Sequence, residues 1–452
     1  MSKSKWSKFV LIFWLLVLGL FLMVLPALAD GEVTISSAGA GSPEIKANGT
    51  FVAVVYFKQD SEASTVYLKS ATQSDGWLTS SVVGFGSGPQ LAFSAINANI
   101  VFVVWANSTK TAIESAQCTL DTTLPYMDPA TCVPGAPLEQ TVTASLDAPD
   151  IVVDSAGMIH VVWVNDGVIK TARSSVANSV GGWTGLTSVS GSNNDQKPVL
   201  AWSSGNNGQL HLAFLRGSNA AAPNSVQYRR SSDDVTPHTW GNNKSFTIGA
   251  EIVQGTPAVH DRVDSPTITA LTSDVVLAWG AHRSGDAFSL IAARSTDNGG
   301  SWLTPLRYVP SDGNATTTSG GTAEDKYSTE TGLPKEKEGL RPSLIISGVS
   351  AAIAWQQFPD QDGCNFNPSV IYYTQPITGG SSSTLAADRG KLDPDWAVVG
   401  GQTHFVYMKD VTTNLCGSGV NGYRITYQGP FINQDNDRGE GGGTFLPIIQ
   451  KN

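Results

Sequence analysis

"PDIVVDSAGMIHVVW", residues 149–163, is the stretch that decides the fold of this chain. A proline opens it, a short apolar segment follows, and a second apolar segment after "DSAG" ends in a tryptophan. Short apolar runs on either side of a turn that contains glycine are typical of two antiparallel strands. The stretch therefore predicts a β-hairpin that begins with proline.

The same pattern recurs seven times along the chain, and we call each copy a unit. The aromatic residue lies 13 to 16 residues after the proline, and successive prolines are 46 to 76 residues apart. A third strand follows in most units, as in "TVYLKS", "SVQYRRS" and "YRITYQG". From proline to aromatic residue, units one to seven span 43–56, 89–105, 149–163, 198–214, 266–279, 342–355 and 394–407.

Four antiparallel strands per unit at this spacing predict an all-β fold, a seven-bladed β-propeller, with six blades as the alternative. Each proline is expected at the first residue of an inner strand, where it is tolerated. The last unit has no good fourth strand, so "EVTIS" at 32–36 is expected to complete it. This N-terminal strand would close the ring and remove an exposed sheet edge.

The chain ends define four predicted segments. Residues 1–29 resemble a signal peptide, with Lys3, Lys5 and Lys8 before an apolar run at 9–25 and small residues at Ala27 and Ala29. An uncleaved membrane anchor is the alternative. The propeller is expected over 30–430 and a Gly-rich linker over 431–443. The apolar tail over 444–452, which contains "FLPII", is expected to be a sorting or docking signal, with a frayed terminus or an extra strand as the alternatives.

The amino-acid composition limits the kinds of partner that this chain is expected to bind. The 452 residues carry a net charge of −10, and the 28 Lys and Arg residues are scattered, which argues against nucleic acid. After signal cleavage no segment is apolar enough to span a membrane, so we expect an exported monomer that is secreted or held at the cell surface. No His or Cys spacing indicates zinc, and no cofactor is predicted.

One turn carries a specific motif. Residues 295–302 read "STDNGGSW", with Ser295, Asp297, Gly299 and Trp302 in Ser-x-Asp-x-Gly-x-x-Trp spacing. Imperfect copies lie at 70–77, 174–183 and 231–240. The motif resembles the Asp-box, or bacterial neuraminidase repeat, of sialidase-like propellers. That resemblance implies a structural turn between the third and fourth strands, away from any catalytic face.

The resemblance also implies what a sialidase would need: three arginines that grip a carboxylate, and a tyrosine nucleophile assisted by a glutamate. The chain has no arginine before Arg173, so units one and two supply none. Arg216, Arg283 and Arg341 are the remaining candidates for a displaced cluster. Tyr423 and Tyr427, and the second-strand histidines His160, His211 and His404, are interpreted as packing residues.

Polar residues are expected at one mouth of the central channel. The residue after the proline is Glu44, Asp150 or Asp395 in three units, and an acidic mouth could hold a cation or an amine. A water-filled polar lining is the alternative. Two acidic segments, "DQDG" at 360–363 and "DNDRGE" at 435–440, weakly suggest calcium, although neither is a complete calcium loop.

Three classes of function follow from these observations. The first is a secreted or cell-surface propeller without catalysis that binds a glycan or an extracellular protein. The second is a divergent exo-sialidase-like glycoside hydrolase. The third is a structural surface protein held by its C-terminal tail. The first is preferred because units one and two lack the arginine that a sialidase requires.

Two disulfides are predicted, Cys118–Cys132 within unit two and Cys364–Cys416 between units six and seven. Cys364 lies nine residues after Trp355, and Cys416 lies nine after the equivalent Tyr407. Loops at matching places in adjacent blades can bring two Cα atoms within the roughly 4.4–6.8 Å that a disulfide needs. Peptide mapping without reduction is expected to recover both pairs. A Cys118–Cys364 peptide, or four free thiols, would contradict the unit alignment.

Overall fold

The structure is a computed structural model. It describes residues 32–59, 64–72, 76–120, 130–141, 146–191, 194–205, 208–217, 223–231, 239–247, 252–253, 256–257, 262–282, 289–308, 342–347, 350–357, 370–374, 383–386, 391–399, 402–410 and 423–430. The strands of these ranges lie in antiparallel sheets, and within the same ranges no helix is long and apolar enough to cross a membrane. The predicted signal peptide, linker and tail lie outside the described residues, as does the predicted Cys364–Cys416 bond.

The strands follow the units of the sequence. Units one and two share β6 in a nine-stranded sheet, and the remaining units form sheets of four strands. Units one and two contain β2 (Ala40–Ala47), β3 (Phe51–Gln59), β4 (Ser64–Thr72), β5 (Gly76–Trp77), β6 (Ser81–Phe93), β7 (Ile100–Asn107), β8 (Ala112–Thr119), β9 (Thr131–Pro134) and β10 (Glu139–Gln140). Units three and four contain β11 (Leu146–Val153), β12 (Ile159–Asn165), β13 (Val168–Ser174), β14 (Trp183–Ser188), β15 (Asp195–Ser203), β16 (Gln209–Gly217), β17 (Pro223–Ser231) and β18 (Trp240–Thr247).

A two-stranded hairpin separates units four and five. It consists of β19 (Ile252–Val253) and β20 (Thr256–Pro257). Units five and six contain β21 (Arg262–Leu271), β22 (Asp274–His282), β23 (Ser289–Ser295), β24 (Leu306–Tyr308), β25 (Ser343–Ser347), β26 (Ser350–Gln357), β27 (Val370–Thr374) and β28 (Ser383–Ala386). Unit seven contains β29 (Lys391–Val399), β30 (Gln402–Asp410) and β31 (Tyr423–Gln428), completed by β1 (Glu32–Thr34).

The N-terminal strand closes the ring as predicted. Strand β1 pairs with β31, and Glu32 lies opposite Gln428. The Glu32 carboxylate accepts a hydrogen bond from the Tyr407 hydroxyl at 2.5 Å and forms an ion pair with Lys409. Unit seven therefore contains strands from both ends of the described chain, which ties the first unit to the last.

The hydrophobic core lies between units. Seven clusters of buried side chains each join one unit to the next, and one of them joins unit seven to unit one. The second-strand tryptophans are almost fully buried in these interfaces: Trp105, Trp163, Trp279 and Trp355. This continuous ring of interfaces makes the fold a β-propeller, and the number of blades stays a prediction.

The prolines do not open their strands, so that expectation is wrong for most units. Strand β2 begins at Ala40, three residues before Pro43, and the register shifts between Gly41 and Glu44. Proline has no N–H to give to the ladder, and a bulge accommodates the gap. The residue before the proline has a positive φ in six units: Ser42, Gly88, Ala148, Lys197, Ser265 and Asp393.

The 295–302 turn is held by its own side chains. The Ser295 hydroxyl accepts the Gly299 N–H at 2.8 Å, and the Asp297 carboxylate accepts the Ser301 N–H at 2.8 Å and the Ser301 hydroxyl at 2.6 Å. The bonds that Asp297 accepts from Ser301, and from the Ser295 hydroxyl at 2.8 Å, lower its pKa to about 2. Gly299 has a φ of 79°, and a Cβ there would lie 1.7 Å from the Tyr228 hydroxyl oxygen. The turn therefore requires glycine for both backbone conformation and space.

Asn298, an unspecified position of the motif, locks this turn of unit five onto unit four. Its side chain is fully buried, accepts the Ser203 hydroxyl at 2.8 Å and donates to Gln209. Its carbonyl oxygen accepts from Arg230 at 2.6 Å. A similar lock joins units two and three, where Ser94 donates to Asn178 at 2.5 Å. The polar position five residues after the proline is the sequence signal, because Ser94 and Ser203 both occupy it.

Removing the lock should weaken the propeller. Asn298→Ala removes a hydrogen-bond partner from both Gln209 and Ser203 at a buried site. We therefore expect the free energy of unfolding to fall by about 2–4 kcal/mol. Denaturant unfolding is the measurement. Thr296→Ala, an exposed position in the same turn, is the control and should change stability by at most about 0.5 kcal/mol. Equal unfolding midpoints for the two variants would contradict the role given to Asn298.

Candidate functional site

The inner strands enclose a central cavity of about 650 Å³. The residue after the proline lines this cavity in every unit: Glu44, Gln90, Asp150, Val199, Thr267, Ser343 and Asp395. The three acidic residues predicted from the sequence are therefore brought to one channel. Their role as ligand-binding residues stays a prediction.

Each of these three carboxylates accepts a backbone N–H from the next unit around the ring. The bonds are Leu91 N–H to Glu44 Oε2 at 2.8 Å, Leu200 N–H to Asp150 Oδ2 at 2.6 Å and Ile45 N–H to Asp395 Oδ2 at 2.8 Å. The donor is always two residues after the proline of its unit. The carboxylates thus connect neighbouring inner strands, in addition to facing the cavity.

Lys46 also lines the cavity, and this position was not predicted from the sequence. Its ammonium lies 2.6 Å from Glu44 Oε1, and its side chain is 41% exposed. A signal was present, because residues 44 and 46 are two apart on one strand and alternate side chains share a face. The Lys46 ammonium therefore lies among the acidic residues that were expected to bind a cation from outside the chain.

Burial sets the protonation of this group. It raises the pKa of Glu44 from 4.5 to about 8, against the nearby Lys46 ammonium, which lowers it. Burial likewise raises the pKa of Asp150, against the hydrogen bond from Leu200, which lowers it. Burial lowers the pKa of Lys46, but the carboxylates of Glu44 and Asp395 outweigh it and raise that pKa above its ordinary value.

A second cavity, of about 540 Å³, opens at the end of the channel where the inner strands begin. We call it the mouth. It shares Pro43, Gln90 and Asp150 with the central cavity. The bulge residues that precede the prolines surround it: Ser42, Gly88, Ala148, Lys197, Ser265 and Asp393. The bulges therefore place residues from six units around one concave surface.

Ion pairs between units border the mouth. Lys110, in the turn that ends unit two's second strand, lies 2.7 Å from Asp147 of unit three. Lys197 of unit four forms an ion pair with Asp264 of unit five. Asp264 is buried, whereas Lys110 and Asp147 are about half exposed. The pairs join adjacent units and leave part of their polar surface in the mouth.

Arg216, the one arginine candidate inside the described residues, is already bound. Its Nε and Nη2 atoms donate to the two carboxylate oxygens of buried Asp195, each at 2.7 Å. This bidentate bond raises the pKa of Arg216. Arg283 and Arg341 lie outside the described residues, so a three-arginine cluster stays untested.

The second-strand histidines lie in buried contacts. His211 Nδ1 is 2.8 Å from the Tyr228 hydroxyl, and His404 Nδ1 is 2.9 Å from the Tyr427 hydroxyl. Burial lowers the pKa of His211 to about 3 and that of His404 to about 4, so both are neutral at physiological pH. His160 Nε2 lies 2.9 Å from Asp154 Oδ2. Tyr423 begins β31, and its side chain lies outside the described part of the chain.

Two remaining predictions concern metal and disulfides. Both acidic segments proposed for calcium, 360–363 and 435–440, lie outside the described residues. Within the described ranges no group of three or more His, Cys, Asp or Glu side chains is arranged to hold a metal ion. The predicted Cys118–Cys132 bond is present and links β8 to β9.

The chain was compared with known proteins. No protein-family model matches it, and no curated protein matches it in sequence. Among solved structures it is similar to the phage phi92 endosialidase, with a TM-score of 0.48 and 9% identity over 92% of this chain and 71% of that chain. It is also similar to the sialidase of Trypanosoma rangeli, with a TM-score of 0.43 and 8% identity over 90% of this chain.

A third similar structure is the polysaccharide lyase Uly1, with a TM-score of 0.47 and 10% identity over 89% of this chain and 91% of that chain. This chain spans 59% of the length of the Trypanosoma rangeli sialidase. Sialidases are thus among the structures that it resembles, and at these values the likeness assigns no activity to it.

The raised pKa of Glu44 gives a test of the channel. A carboxyl whose pKa is about 8 in the folded protein, against 4.5 ordinarily, contributes stability below pH 4.5 that is lost as the pH rises through 8. Glu44→Gln keeps an oxygen that can accept the Leu91 N–H but cannot ionise. Thermal unfolding of this variant should therefore lose less stability than the wild type between about pH 5 and about pH 9.

The matched control is Asp274→Asn, which removes the same charge from an ion pair with Arg294 outside the lining of both cavities. Its pH profile should run parallel to that of the wild type. A Glu44→Gln profile that also runs parallel would show that Glu44 ionises normally in the folded protein.

Proposed function

We propose that this chain is a non-catalytic binding module that holds a glycan at its mouth. The observation that carries the proposal is the mouth itself, a concave surface formed by strand bulges of several units around one axis. Amide side chains of Gln90, Asn194 and Gln196 line it beside apolar Phe57 and Val164. Ligand sites commonly combine apolar walls with a few fixed polar groups in this way.

The hydrogen bonds of the channel support binding over catalysis. Glu44, Asp150 and Asp395 each accept a backbone N–H that holds two units together. A catalytic carboxyl must exchange its proton with substrate, and that exchange would compete with these bonds. The Arg216 fork is likewise occupied by Asp195. These side chains are therefore used to hold the ring together, and the ring fixes the shape of the mouth.

The proposal places the protein outside the cell, secreted or at the cell surface. Its supports are the signal-like residues 1–29 and the Cys118–Cys132 disulfide, since disulfides persist in oxidising compartments. A glycan on another cell, or on a secreted protein, is the kind of ligand that such a location would present.

A divergent exo-sialidase-like glycoside hydrolase is the second candidate. One observation favours it: Glu44, at the cavity wall, has its pKa raised to about 8, and a raised pKa is what a general acid needs near neutral pH. In this candidate Glu44 would give up its bond to Leu91 during turnover.

A glycan array probed with the exported full-length chain tests binding, and fluorogenic glycosides, sialosides first, test hydrolysis. We expect binding without turnover, and we expect Gln90→Ala to weaken binding by about tenfold, because the amide contributes a hydrogen bond within the mouth. Thr296→Ala, in the 295–302 turn, should bind like the wild type.

Two results would contradict the proposal. Glycoside release that Glu44→Gln abolishes would establish the enzyme instead. If correctly folded protein, judged by a normal unfolding transition, binds no glycan on the array, the mouth does not hold glycans. If the chain then binds an extracellular protein, its ligand is a protein and not a glycan.

A further inference from the structure

We infer that the mouth selects uncharged, hydroxyl-rich glycans and discriminates against those that carry a carboxylate. The inference rests on the proposed function and names the ligand class for the same site. Its basis is the charge arrangement of the two cavities, which adjoin and have lining residues such as Pro43, Gln90 and Asp150 in common.

Every cation among the described lining residues already contacts an acidic side chain of the chain. The pairs are Lys46 with Glu44 at 2.6 Å, Lys110 with Asp147 at 2.7 Å, and Lys197 with Asp264. A carboxylate on a ligand would have to displace a partner that is tethered in place, and so is present at a high effective concentration. The lining therefore offers an anionic ligand no open positive group.

The lining also contains more acidic than basic side chains. Beyond the three pairs, Asp150, Asp195, Asp393 and Asp395 line the same cavities, and Asp195 is bound by Arg216. Like charges in a concave site repel an approaching anion, and the low dielectric of the walls strengthens the field. Asp150 and Asp395 accept backbone N–H groups from adjacent units, so these two side chains also hold the ring together.

A sugar hydroxyl suits this surface because it both donates and accepts hydrogen bonds. The side chains of Lys110 and Asp147 are 45% and 50% exposed while paired, so a hydroxyl can approach both without separating them. The half-buried amide side chains of Asn194 and Gln196 lie in the same lining and can likewise both donate and accept hydrogen bonds. Neutral glycans thus gain contacts here at no cost in broken ion pairs.

The experiment uses the full-length chain and the neutral glycan that binds most tightly on the array, compared with the same glycan carrying one terminal sialic acid. Calorimetric titration of both at low and at physiological salt gives the selectivity ratio. We expect the neutral glycan to bind at least about tenfold more tightly, with little dependence on salt, because screening acts on charges.

Variants of one ion pair sharpen the test. Asp147→Asn leaves the Lys110 ammonium without that carboxylate and should improve binding of the sialylated glycan by about threefold to tenfold, in a salt-sensitive manner. Lys110→Gln removes the cation and should give no such gain. Asp274→Asn, which makes the same charge change outside both cavities, should leave the ratio unchanged.

The outcomes separate the two proposals. If the sialylated or another carboxylated glycan binds more tightly than its neutral counterpart, the charge inference is overturned while glycan binding at the mouth stands. An Asp147→Asn variant that folds normally but gains no anionic affinity also counts against it. If no glycan on the array binds, the proposed function itself fails.

Discussion

No unit of this protein can bury its apolar side chains alone, and that constraint governs the rest of the structure. Each hydrophobic cluster takes side chains from two adjacent units, so the core is a ring of shared interfaces. Such a ring is complete only when the last unit packs on the first. The pairing of β1 with β31, and the contacts of Glu32 with Tyr407 and Lys409, therefore secure every interface by preventing the ring from opening.

Polar contacts fix the relative position of units that apolar packing only holds together. Carboxylates of Glu44, Asp150 and Asp395 connect inner strands along the channel. Asn298 connects the 295–302 turn to the neighbouring unit in a buried contact. Hydrogen bonds are directional where hydrophobic contacts are not, so these bonds define the register between units. A mouth assembled from several units depends on that register for its shape.

The sequence predicted the fold well because the repeated feature, proline to aromatic residue, corresponds to the two strands that every unit must bury. The same alignment placed Glu44, Asp150 and Asp395 on one channel. It missed Lys46, Asn298 and the Arg216–Asp195 pair, since each depends on which side chain of another strand or unit lies within reach. Proline was expected to open its strand, but the preceding bulge was not visible, because a positive φ at serine, alanine or lysine has no reliable sequence signal.

The residues on the two sides of each proline have different roles: one contributes to the ring and the other to the mouth. The residue after the proline faces the channel, and in three units it supplies the carboxylate that joins two units. The residue before it sits in the bulge, borders the mouth and differs in size and charge from Ser42 to Lys197 to Asp393. The carboxylate contacts between inner strands come from the residue after the proline, so a bulge residue such as Ser42 or Ala148 contributes to the surface of the mouth without supplying one of them. Lys197 is different, because its ion pair with buried Asp264 also joins two units. Ligand selectivity is therefore most easily varied at bulges whose residue forms no contact between units.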